Sequence, residues 1–141
     1  MLNSENNIEE RILSIPETYQ RYLEILYKIS KKRGGWIKNK DIAEAFNILP
    51  ASVTSMLHNL HAHKLIEWEP KKAIRLTPKG KKISKYLIDV QSLLETFFEK
   101  VLHIKSKKTI AKLACDIAHH IPINVKNSLE QFLMEVEGIN D

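Results

Sequence analysis

Ser52, Thr54, Ser55, His58 and Asn59 are small hydroxyl, imidazole and carboxamide side chains, and Val53, Met56, Leu57 and Leu60 interleave with them at helical spacing. A helix built this way buries the second set and presents the first. Small hydroxyl side chains let a helix approach the major groove of a duplex closely, where serines can hold phosphates and an asparagine can read adenine. Lys71, Lys72 and Arg75 cluster shortly downstream around Glu69-Pro70, and Lys38 and Lys40 precede the segment. Cations flanking a polar helix on both sides are what phosphate neutralisation requires. A different chemistry would need Cys115 as a nucleophile with His119 or His120 as its base. No Gly-rich loop, oxyanion donor or orienting third residue accompanies them, so an enzyme is not expected.

The elements that must position these residues follow from periodicity. Ser14-Ile15-Pro16-Glu17 is a capping pattern, after which Tyr19, Tyr22, Leu23, Leu26 and Ile29 recur helically up to Lys31-Lys32-Arg33-Gly34-Gly35. Trp36-Ile37 reads as a short strand, and Asn39 as the cap of a helix with Ile42, Ala43, Ala45 and Phe46 inward. Asn47-Ile48-Leu49-Pro50 breaks that helix, and Ala51 to His63 forms the next. Residues 64–68 and 73–76 read as two strands of a hairpin with a basic tip. Thr77-Pro78 starts a long helix over 79–100, Ser106 caps one running to His120 with Ile110, Leu113, Ala114 and Ile117 inward, and Asn124 opens the last. The expected fold is mainly α: a winged helix-turn-helix with a small β-hairpin wing, joined to a C-terminal helical dimerisation region. The domains are an arm over 1–15, a DNA-binding domain over 16–78, and a dimerisation and metal-sensing domain over 79–141.

The charge distribution agrees with the polar helix. Of 141 residues with net charge +5, the stretch Lys31 to Lys82 holds 12 Lys/Arg against 4 Asp/Glu, while the remainder is net acidic. Segregated positive charge is the footprint of a polyanion partner. At 43% hydrophobic the chain has enough apolar surface for a core, yet no run approaches a membrane span. The first residues lack the basic and apolar regions of a secretion signal, and the single cysteine forms no internal disulfide. A cytoplasmic protein with no membrane partner is the expectation.

From Glu24 to Glu95, and more loosely to Leu133, the chain resembles the diphtheria toxin repressor and manganese transport regulator family. The matching stretches are Tyr22-Leu23-Glu24-Ile25-Leu26-Tyr27, Asp41-Ile42-Ala43-Glu44-Ala45, Ser52-Val53-Thr54-Ser55-Met56, Leu76-Thr77-Pro78-Lys79-Gly80-Lys81-Lys82 and Leu93-Leu94-Glu95. The length resembles the short branch that lacks a C-terminal barrel domain. The resemblance implies a homodimeric repressor of metal-uptake genes that binds a palindromic operator in double-stranded DNA and is activated by a divalent metal.

The resemblance places that metal's ligands at Arg21 and Glu24 on the first helix, Gln91 on the long helix, and Cys115, Ala118 and His119 on the next. Glu24, Cys115 and His119 have lone pairs to give, with Gln91 or Glu95 as auxiliaries. Arg21 has none and is always protonated, and Ala118 offers no donor. Asp116 lies about a hundred degrees around the helix from the face shared by Cys115 and His119. Two expectations stand. Either Glu24, Cys115 and His119 hold one ion, the thiolate shifting preference from manganese toward zinc, iron or cobalt, or the Arg21 guanidinium substitutes for the metal's charge. Competing classes are a winged-helix regulator of the multiple-antibiotic-resistance type, which senses small organic ligands, and a winged-helix protein-interaction module. The aspartate-arginine wing pattern of the former is missing from Glu67 to Arg75, and the local positive charge disfavours the latter.

Overall fold

The computed structural model describes residues 14–69 and 72–140. The expected N-terminal arm, apart from its last two residues, and Lys71 at the hairpin tip lie outside the described residues. In chain order the elements are α1 (Glu17–Lys32), α2 (Asn39–Phe46), α3 (Pro50–Ala62), β1 (Ile66–Glu67), β2 (Arg75–Leu76), α4 (Pro78–Thr96), a π-helical turn (Phe97–Val101), α5 (Lys107–Ala118) and α6 (Ile123–Asn140). The chain divides into two compact units within α4, one of residues 17–85 and one of residues 86–140 together with 14–16.

In the first unit, apolar residues from every element meet in one core. Leu23 and Leu26 of α1, Ile42 of α2, and Val53, Leu57 and Leu60 of α3 have no exposed surface. α1 stops where basic Lys31 and Lys32 meet the helix carbonyls and Gly34 takes φ 68°, a conformation that costs glycine nothing. α2 begins one residue earlier than the sequence suggests. Lys38, rather than Asn39, occupies the cap position, and the Asp41 carboxylate accepts from the Lys38 backbone N–H at 3.2 Å. Asn47 closes α2 in the left-handed region (φ 52°), its carboxamide tolerating a conformation most side chains avoid. Pro50 then pre-sets the first turn of α3. Ala45, expected inward, is exposed.

The wing is shorter than its apolar runs suggest. Ile66 pairs with Leu76 and Glu67 with Arg75 in antiparallel register, and the ladder ends there. Ile74 instead exchanges both backbone hydrogen bonds with Ile37, at 2.8 and 2.7 Å, so the expected Trp36-Ile37 strand is a single bridge at the wing's root. On the other side Lys64 turns the chain with φ 59°, which removes it from any strand. Thr77 caps α4 as its sequence implies, accepting from the Gly80 N–H at 3.1 Å while donating to the Lys64 carbonyl at 2.8 Å. The helix thereby seats against the segment just before β1 so closely that a Cβ on Gly80 would lie 2.2 Å from the Leu65 carbonyl oxygen.

In the second unit, Val90 and Leu94 of α4 pack with Ala114 and Ala118 of α5, and Tyr86, Phe98, Ile117, Ile121 and Leu129 close around them. The α-helical geometry of α4 ends at Thr96, not near Lys100, and the Leu102 N–H reaches back five residues to the Phe97 carbonyl at 3.1 Å. Ser106 caps α5 by accepting from the Thr109 N–H at 3.2 Å. Its buried positions are Ile110, Ala114 and Ala118, an i, i+4, i+8 row that leaves Leu113 about a hundred degrees away and 39% exposed. Leu113 was expected to face inward. α6 begins at Ile123, one residue before the expected start, and buries Leu133 while Val125, Phe132 and Met134 stay exposed.

Candidate nucleic-acid interface

α3 separates its side chains cleanly. Val53, Met56, Leu57 and Leu60 are buried, whereas Ser52, Thr54, Ser55, His58 and Asn59 are all exposed. Four buried apolar side chains at helical spacing fix the rotation of α3 about its axis, which in turn fixes which residues face outward. The angle at which α3 leaves α2 is set by the Asn47 turn, where the Asn47 and Ile48 N–H groups return to the Glu44 and Ala43 carbonyls. α2 packs directly on α3. A helix held by another across a tight turn, with a small polar outer face, is the geometry of a helix-turn-helix reader.

The outward residues are not equivalent. Thr54 donates its hydroxyl to the Pro50 carbonyl at 3.3 Å, which leaves its methyl and lone pairs outward. The His58 ring meets the Trp68 ring edge to face, with centroids 4.6 Å apart, and His61 approaches the same indole at 6.3 Å. Trp68 follows β1, so this aromatic contact ties the wing to α3. By sequence alone His58 is one polar residue of the outer face. A tryptophan just after an apolar strand, opposite histidines one turn apart, was the available signal.

Lys38 and Lys40 are exposed at the start of α2. Beside them, Arg33 reaches the Asp41 carboxylate at 2.8 Å, anchoring the loop between α1 and α2. In the wing, Arg75 is engaged locally: its guanidinium donates to Glu67 Oε2 and lies 5.0 Å from the centroid of the Trp36 ring. Lys72 pairs with Glu69 at 2.5 Å. The hydrogen bond between them, reinforced by opposite charge, raises the Lys72 pKa and lowers that of Glu69. Both side chains are well exposed, so water competes directly for the pair.

A two-helix reader with a wing, carried on one compact unit and followed by a separate helical unit, defines a winged helix-turn-helix regulator. Residues 15–74 match the family described as iron dependent repressor, N-terminal DNA binding domain, and residues 77–138 match iron dependent repressor, metal binding and dimerisation domain. The chain belongs to this family and is a transcription regulator rather than an enzyme. It is 34% identical over 103 residues to the HTH-type transcriptional regulator MntR of Bacillus pumilus, covering 73% of this chain and 69% of that one. An uncharacterized HTH-type transcriptional regulator of Methanocaldococcus jannaschii is 29% identical over 117 residues, 83% of this chain and 93% of the other. Among solved structures, the manganese regulator SloR superposes with TM-score 0.67 at 26% identity, and ScaR with bound zinc with TM-score 0.67 at 28%. Each match covers 82% of this chain and 53% of the other, so the chain spans about half the length of these solved relatives. No small-molecule regulator of the multiple-antibiotic-resistance type is supported by the family match.

A metal is implied by the description of residues 77–138, and the residues present fit it poorly. Cys115 is half-buried on α5, and His119 is buried immediately past the end of that helix as its C-cap. Gln91, buried on α4, is a neutral carboxamide, Ala118 is a buried methyl, and Asp116 is exposed. Glu95 is half-buried. Among the described residues no three His, Cys, Asp or Glu side chains are grouped to hold an ion. In the first unit Glu24 is buried, and Arg21 forms an ion pair with Glu17 one turn earlier on α1, at 2.9 Å. Two strong donors on the α5 segment fall short of the shell that tight divalent binding requires.

Proposed function

We propose that the chain is a homodimeric, cytoplasmic repressor that reads a palindromic operator in double-stranded DNA through α3. The observation that carries this reading is the exposure of Ser52, Thr54, Ser55, His58 and Asn59 on a helix whose opposite face is fixed in the core. We assign residues 16–78 to DNA binding and 79–141 to dimerisation. In a twofold dimer the two α3 helices enter successive major grooves about 34 Å apart. Lys38, Lys40, Lys71, Lys72 and Arg75 contact phosphate, with Lys72 and Arg75 exchanging Glu69 and Glu67 for the backbone. Support for dimerisation comes from the description of the C-terminal region and from Val125, Phe132 and Met134, which remain exposed on α6. Among the described residues no helix is long and apolar enough to cross a membrane.

The effector reading follows from the donor set. SloR is described as a manganese regulator and ScaR is described with bound zinc, but here Arg21 and Ala118 offer no donor and Gln91 only a neutral carboxamide. Operator binding therefore does not depend on a metal, and Arg21, ion-paired with Glu17 on α1, stands in for the cation. Selection of a duplex from a random pool, followed by affinity measurements over a salt series, tests the DNA reading: affinity falls steeply with salt if phosphates are neutralised. Titrating that complex with manganese, iron, cobalt and zinc tests the effector reading. Tight binding in chelator with no response to any ion is expected. A rise in affinity with one ion, abolished by Glu24→Ala, Cys115→Ala or His119→Ala, would establish those three as ligands instead.

A further inference from the structure

Immediately before the polar face of α3, three consecutive apolar residues stand exposed. Leu49 is 73% exposed, and Pro50 and Ala51 follow it in the open. Leu49 occupies the N-cap position, which ordinarily favours a side chain with an oxygen that accepts from the first-turn N–H groups. Leucine supplies no such oxygen, and α3 has no side-chain cap hydrogen bond. The residue thus forgoes a local capping interaction and presents a branched hydrocarbon to solvent. Within the first unit the other leucines behave differently: Leu23, Leu26, Leu57, Leu60, Leu65 and Leu76 are buried.

Resting on the reading of α3 as the helix that enters the major groove, we propose that Leu49 is a specificity-determining residue that packs on the 5-methyl group of thymine. Residues at the leading end of such a helix lie deepest against base edges. Thymine alone among the four bases offers an apolar group in the major groove, and apolar side chains recognise it by contact. Pro50 stiffens the backbone beneath Leu49 through its fixed φ, so the side chain is offered from a rigid platform. Ser52 and Asn59, further along the same exposed face, supply hydrogen bonds that orient the helix but do not distinguish thymine from uracil. The recognition element is therefore split: a hydrocarbon contact at the tip and polar contacts behind it.

The test uses the full chain and a duplex selected from a randomised pool, resynthesised with deoxyuridine replacing thymidine one position at a time. This substitution removes the methyl and leaves the pairing and the groove hydrogen-bonding groups intact. At one position in each half-site the wild type is expected to bind about four-fold more weakly, the worth of one buried methyl group. Leu49→Ala is expected to bind the thymine duplex more weakly and to be indifferent to deoxyuridine at that position, while Leu49→Met retains the sensitivity. If Leu49→Ala keeps the full deoxyuridine penalty, or if the wild type shows none anywhere, the contact assigned to Leu49 is wrong while operator reading by α3 stands. If no duplex is selected at all, DNA reading by α3 fails, and the Leu49 contact with it.

Discussion

Replacing Gly80 by alanine puts opposing forces in direct competition. Gly80 lies in the first turn of α4, where alanine is the better helix former by about 1 kcal/mol. Against this, the added Cβ would sit 2.2 Å from the Leu65 carbonyl oxygen, more than an ångström inside ordinary contact, and the obstacle is backbone rather than a flexible side-chain end. Relief requires α4 to move away from the segment before β1. That motion stretches the hydrogen bonds from the Thr77 hydroxyl to Lys64 O, from the Thr77 N–H to Leu65 O, and from the Gly80 N–H to Thr77 Oγ1. Overpacking of this kind costs about 1 to 3 kcal/mol, and each weakened hydrogen bond up to about 1 kcal/mol more. The clash wins, with a net loss of about 2 to 4 kcal/mol. Thermal unfolding followed by circular dichroism should show Tm falling by roughly 5 to 15 °C, while Lys81→Ala, exposed one residue further along α4, leaves Tm almost unchanged. A Gly80→Ala variant as stable as the wild type would show that helix propensity outweighs the close approach, and the described seating of α4 would be wrong.

Other substitutions probe the interface. Asn59→Ala should alter sequence preference at one position by about 1 to 3 kcal/mol, read by selection from a random pool; an unchanged preference removes Asn59 from the reading face. Arg75→Gln removes one proposed phosphate contact and should flatten the salt dependence of DNA affinity by about 0.9 in log-log slope; a slope equal to wild type would mean that Arg75 does not reach phosphate. His58→Ala should cost about 0.5 to 1.5 kcal/mol of stability and change Trp68 emission, since it deletes the edge-to-face contact. Unchanged emission and stability would dissociate α3 from the wing. Met134→Asp places a charge at an exposed apolar position of α6 and should shift sedimentation from dimer toward monomer; a persistent dimer locates the subunit contact elsewhere.

The α3 face was legible because burial there obeys a single periodicity: four apolar positions identify the core side, and everything between them faces out. Thr77-Pro78 and Ser106 were legible as caps because their chemistry is local. Long-range pairing was not. Residues 73–76 look like one strand, yet the hydrogen bonds of Ile74 go to Ile37, a partner no local pattern specifies. Leu113 is as apolar as Ile110, and only the packing of Ala114 and Ala118 decides which of the two turns inward. For Arg75 the sequence shows the charge but hides its partner, since Glu67 lies directly across the hairpin. For the metal, the matching positions showed which donors were missing from sequence alone, since arginine and alanine carry no usable lone pair wherever they fold.

Ile37 and Ile74 exchange two main-chain hydrogen bonds, which clamp the hairpin at its base to the link between α1 and α2. Both side chains are fully buried, so the clamp is insulated from whatever happens beyond β1 and β2. Insertions, deletions or charge reversals between Glu69 and Ala73 then leave the pairing of Ile74 with Ile37 in place. If the wing grips the duplex as proposed, its affinity and the sequence choice of α3 are separately adjustable traits.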